Sequence, residues 1–192
     1  MTKPGSFERW PSVQWTNSRK LSSCRRTMKP TEIFQKVPPA LAAEIFTFLQ
    51  TEQKPVYKAA IQGLANQRNL RAVFVERKPP AERHAWLQNA LGRNMSETLA
   101  GHVLQAWLLG ANKRMLCDFL DAMEIKHEDD GTVDELPAQP PKEKIAAAAQ
   151  RLLSKYPKEK VAVYLHAFRD MDSTVRWPGL DEVLAEESRL TL

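Results

Sequence analysis

Eight carboxylates fall within 18 residues: Asp118, Asp121, Glu124, Glu128, Asp129, Asp130, Asp134 and Glu135, with Gly131 among them. Acids at this density around a glycine could form a calcium loop, whose sixth position is a glycine. With Gly131 at that position, Val133 takes the apolar eighth position and Asp134 the ninth. Lys126 and Pro137 then fall at the first and twelfth positions, where an acid and a bidentate glutamate are required. Both anchors fail, so the segment reads as a solvated acidic turn with no bound metal.

Other chemistry finds less to work with. His84, His102, His127 and His166 are scattered, with no HExxH and no zinc spacing to cysteine. His84 and His102 become neighbours if helices over 80–92 and 97–110 pair, but as boundary histidines rather than ligands or bases. No GxSxG is present. Cys117 lies between Leu116 and Phe119 in an amphipathic stretch, which suits buried filler better than a thiolate. No two glycines are closer than nine residues, which excludes GxGxxG and GxxxxGK[ST] phosphate loops. Neither a catalytic residue nor a cofactor is expected.

The remaining candidate is basic. Arg68, Arg71, Arg77, Lys78 and Arg83 bracket Phe74, with Trp86 and Trp107 near in sequence. Arginines beside aromatics can bind phosphate and stack on bases. The competing expectation puts Phe74, Trp86 and Trp107 in the core and turns the arginines to water. Helical spacing favours it, because Trp86 falls with Leu87 and Leu91, and Trp107 with Val103 and Leu104.

The elements that position these residues read as helices. In 113–124, Leu116, Phe119, Leu120 and Met123 follow the i, i+3, i+4, i+7 spacing of one helix face. Val161, Tyr164, Leu165 and Phe168 repeat it in 157–171, and Tyr57, Ala60, Ile61 and Leu64 in 54–67. Each face follows three apolar positions four apart: Leu41, Ile45, Leu49; Ala100, Leu104, Leu108; Ile145, Ala149, Leu153. The step between the two sets is eight residues each time, which suits a tight turn in an antiparallel αα-hairpin. Pro39, Pro55, Pro141 and Pro157 mark helix starts, and Asn94 with Glu97 fits a capping box. The expected fold is all-α, with roughly seven to eight helices in antiparallel αα-hairpins or an irregular helical-repeat array. Residues 68–78 read as a short strand or a helix turn closed by Pro79 and Pro80. Residues 125–141 read as a loop or small hairpin, Ile125–His127 with Thr132–Asp134. A Pro-rich linker at 134–141 then divides the single helical domain, 28–192, from its C-terminal subdomain, 142–192.

Charge sets one more expectation. The chain has 192 residues and a formal charge of +5, and residues 1–27 carry all of it, with six bases against Glu8. This Ser- and Pro-rich segment reads as a disordered basic tail. It precedes a native start at Met28, serves as a targeting segment, or forms an arm whose Trp10 and Trp15 touch nucleic acid. The body is polarised, +6 over 29–114 and −6 over 115–192, a dipole that can steer charged partners. No apolar run approaches the ~20 residues of a spanning helix, and two cysteines make no disulfide framework. The function these features favour is a non-enzymatic, cytoplasmic protein- or peptide-binding module. The alternative is nucleic-acid binding through 68–83 and the N-terminal arm.

Overall fold

Half of the described helices begin where a proline allows it. The structure, a computed structural model, describes residues 28–93, 97–134, 136–169 and 177–192. Pro30, Pro39, Pro55, Pro80 and Pro178 occupy the first or second position of their helices, where the missing N–H has no intrahelical partner to lose. Among the described residues there are ten α-helices and no strand: α1 (Pro30–Lys36), α2 (Pro39–Glu52), α3 (Lys54–Gln67), α4 (Ala72–Glu76), α5 (Pro80–Leu91), α6 (Glu97–Gly110), α7 (Lys113–Ala122), α8 (Lys142–Lys155), α9 (Lys158–Arg169) and α10 (Pro178–Glu186). A 3-10 turn, Ser188–Leu190, follows. The fold is all-α. The helices beyond the expected seven or eight are the short ones, too brief to show a clear period.

Every residue of the three i, i+3, i+4, i+7 faces is buried. Of the preceding apolar sets only Leu153 is not, and Leu152 is buried in its place. α2 packs on α3, α6 on α7 and α8 on α9. Helices distant in sequence also meet, α1 with α6 and α9, and α3 with α5 and α6. A stacked repeat array would give contacts between sequence neighbours only.

One continuous cluster of buried apolar residues runs from Ile33 to Leu190. α9 lies deepest in it. All eight residues from Val161 to Phe168 are buried, so beyond its exposed first turn this helix has no solvent face, although its sequence reads as amphipathic. Phe119 of α7 meets Phe168 edge-on at 5.1 Å between ring centroids, and Trp177 lies 5.5 Å from Phe168. The Trp177 indole N–H donates to the Pro137 carbonyl at 2.7 Å and fixes the Pro-rich segment against this aromatic group.

The segment 125–134 is a turn, not a paired hairpin. Gly131 N–H donates to Glu128 O, Glu128 N–H donates to Thr132 O, and no strand forms. The basic tail, 1–27, and Asn94 of the expected capping box lie outside the described residues. No helix of the described residues is long and apolar enough to cross a membrane.

Candidate functional site

The basic segment 68–83 begins at the end of α3. That helix closes in a Schellman motif: Leu70 N–H donates to Ala65 O at 2.9 Å and Asn69 N–H to Asn66 O at 3.2 Å. The motif needs a left-handed residue, and Asn69 supplies it with φ of 52°. The chain then turns through extended Arg71 into α4, and Pro79 starts the approach to α5. The apparent strand-or-turn ambiguity of 68–78 resolves as this short helix. Its one buried anchor is Val75, fully covered, which holds α4 against α3.

The five basic residues do not act alike. Arg83 is buried, 8% exposed. Its Nη1 donates to Glu76 O at 2.7 Å and to Lys78 O at 3.4 Å, and its Nη2 to Gln50 Oε1 of α2 at 3.3 Å. A cation on the last carbonyls of a helix satisfies acceptors that lack an intrahelical partner. Arg83 is therefore a clamp joining α2, α4 and α5, and not a ligand-facing residue as its place in the basic run suggested. It also lies 5.9 Å from the Tyr57 ring centroid. Burial raises the Tyr57 phenol, against the opposing pull of the Arg83 charge.

Lys78 is neutralised by Glu82, Nζ to Oε1 at 2.8 Å. It also lies 4.8 Å from the Trp86 ring centroid, where Arg68 approaches to 4.0 Å. Trp86 is half-buried under these two cations, so its ring is already engaged and is a poor platform for a base. Trp107 is fully buried, as its spacing suggested. That leaves Arg68, Arg71 and Arg77 exposed, with no ion pair to any described residue.

Phe74 departs from the core expectation. It is 54% exposed, and Leu70 and Val73 beside it are 39% and 41% exposed. Among the described residues only Leu109 joins them as an exposed large hydrophobic side chain. Three of the four therefore fall within five consecutive residues. Scattered exposed apolar residues are ordinary, whereas a cluster marks a surface that has something to cover it. Sequence reasoning took the arginines as the signal and missed this trio. The exposure follows from α4 being only five residues long and anchored by one side chain.

The other candidates resolve into separate contacts. Among the described residues no group of three or more His, Cys, Asp or Glu could hold a metal ion. The acids of 118–134 are dispersed onto different partners. Asp118 takes Lys155 Nζ at 2.6 Å and the Tyr156 hydroxyl, Asp121 takes His127 Nε2 at 3.1 Å, and Glu124 takes Lys144 Nζ at 2.6 Å. Asp130 caps its own turn, accepting from Thr132 N–H at 2.9 Å. Burial and the Asp118 carboxylate push the Tyr156 phenol up to about 12. His84 is buried with its ring 5.6 Å from Phe46, and desolvation, aided by Arg83, lowers its pKa. His102 is exposed. Burial, followed by nearby acids, raises the Cys117 thiol, which opposes thiolate chemistry.

The corner formed by the end of α3 and by α4 thus presents an apolar trio with Arg68 before it, Arg71 within it and Arg77 after it, none ion-paired to a described residue. No protein-family model matches the sequence, and neither the curated proteins nor the solved structures yield a match.

Proposed function

We propose that this protein is a non-enzymatic protein-interaction module whose docking surface is the α3–α4 corner. The carrying observation is the exposure together of Leu70, at the exit of α3, and of Val73 and Phe74, on a short helix held in place from beneath. Burying such a trio against a partner releases apolar surface from water at roughly 25 cal/mol per Å². Large aromatic and arginine side chains are also the residue types that concentrate binding energy at interfaces. In this reading the protein works in the cytoplasm, where a free thiol such as Cys117 stays reduced.

A second reading, nucleic-acid binding, is favoured by Arg68, Arg71 and Arg77 having no ion pair to a described residue. It draws on three of the five basic residues, since Lys78 is paired and Arg83 buried. Three phosphate contacts give a salt slope of only about −3 on duplex DNA.

Affinity capture of the full chain from its native lysate, with nuclease and without it, separates the two. Capture by a Phe74→Asp variant is run beside it. Proteins that survive nuclease and disappear with Phe74→Asp support the docking reading. Partners that vanish with nuclease support the second reading. A set of partners unchanged by Phe74→Asp rules out the docking surface proposed here.

A further inference from the structure

We infer that the occupant of the α3–α4 corner is an acidic amphipathic helix of another protein, its apolar stripe on Leu70, Val73 and Phe74 and its carboxylates on Arg68, Arg71 and Arg77. The inference rests on the docking reading above and adds the chemistry of the partner.

Charge complementarity carries it. Arg68 precedes the apolar trio, Arg71 falls within it and Arg77 follows it, none ion-paired to a described residue, with Arg68 stacked over Trp86. Elsewhere on the described surface some cations are matched, as Lys29 is to Glu97, Lys144 to Glu124 and Lys155 to Asp118, while Lys54, Lys58, Arg93 and Lys126 are exposed without such a partner among the described residues. What sets the corner apart is that its arginines flank exposed apolar side chains. Guanidinium groups left unmatched around an apolar patch suit carboxylates, which they grip in bidentate geometry. Glu82 is spent on Lys78, and Glu76, exposed and engaged by Arg83 only through its carbonyl, is the one acid within 68–77, which leaves that segment at +2.

Backbone form follows from the surface. Strand addition needs an open sheet edge, and the described residues contain no strand. Arg77, the C-cap of α4, lies four residues after Val73 and three after Phe74, so the three share one helix face, which a second helix meets with its own i, i+3, i+4 residues. The chain's own N-terminal segment is excluded on charge, since its +5 would meet three more cations.

Replacing Phe74 with the photo-crosslinking residue p-benzoylphenylalanine in the full chain tests this in native lysate. Ala147, exposed on α8, serves as the control position. The crosslinked segment is mapped by mass spectrometry. The expected result is an acidic segment with helical apolar spacing, whose yield falls about tenfold when Arg71→Glu and Arg77→Glu are added. These two side chains are exposed, so circular dichroism should show an unchanged fold. A basic or uncharged protein segment at position 74 overturns the acidic occupant but leaves the docking reading standing. Nucleic acid at position 74, or the acidic half of a second copy of this chain, also overturns it. A yield no higher than at position 147 overturns both.

Discussion

The Arg83 guanidinium donates to the Glu76 carbonyl at 2.7 Å, so the C-terminal end of α4 is capped by a side chain from α5. α4 is a five-residue helix, and helices this short do not persist alone. It has two supports, the buried Val75 beneath it and Arg83 at its end. The position of the exposed trio therefore depends on a residue that itself faces inward.

Arg83→Met keeps the apolar stem and removes the donors. It should cost about 2 kcal/mol, the usual penalty for stranding buried acceptors of a charged donor. Arg71→Ala should stay within about 0.5 kcal/mol, because Arg71 is exposed and unpaired. Urea denaturation of the two variants measures both. Equal effects would mean that Arg83 is not a clamp.

Asn69 sets the exit from α3 with φ of 52°. Asn69→Ala should destabilise by about 1 kcal/mol, since a side chain without a local hydrogen-bonding group pays the left-handed cost in full. Asn69→Gly should equal or exceed the parent. Thermal melts of both variants give the sign. A loss for Gly as large as that for Ala would show that the asparagine side chain, not its backbone angle, matters.

The helices were legible in the sequence because the 3.6-residue period of their core faces survives in the structure at Leu116, Phe119, Leu120 and Met123, and at Tyr57, Ala60, Ile61 and Leu64. The burial of Val161 to Phe168 on all sides was not, because period reports one face while tertiary packing decides how many faces are covered. The site was half legible. Its arginines stood out as a basic run, but Arg83 turned inward and Lys78 was neutralised. The Phe74 trio was hidden because an apolar side chain in a short segment between prolines reads the same whether it is buried or bare. Glu124 is another such case. Its φ of 54° places it at the left-handed exit of α7, where nothing in the residue type announces it.

His166 makes stability depend on pH. Its pKa is lowered to about 4 by burial first and by Arg169 next, while Nε2 rests 3.2 Å from Leu190 O. The unfolded chain binds this proton near 6.5 and the folded chain only near 4. Between these values the unfolded state holds more protons, so stability falls as pH drops from 6.5 toward 4 and is flat above. The loss is about 3 kcal/mol at the low end. His84, lowered also, adds in the same direction, whereas His127, raised by the Glu128 carbonyl and Asp121, opposes it. Denaturant unfolding at pH 7 and pH 5 should show this slope in the parent and a shallower one in His166→Gln. Identical slopes would remove His166 as its source.

The location of the docking surface is tested most directly by hydrogen exchange on the full chain, alone and bound to a partner recovered by capture. Docking on α4 predicts slowed exchange at the amides of 70–78, with the acidic segment 124–134 unchanged. Protection confined to 124–134, or to any face without Leu70, Val73 and Phe74, would contradict it.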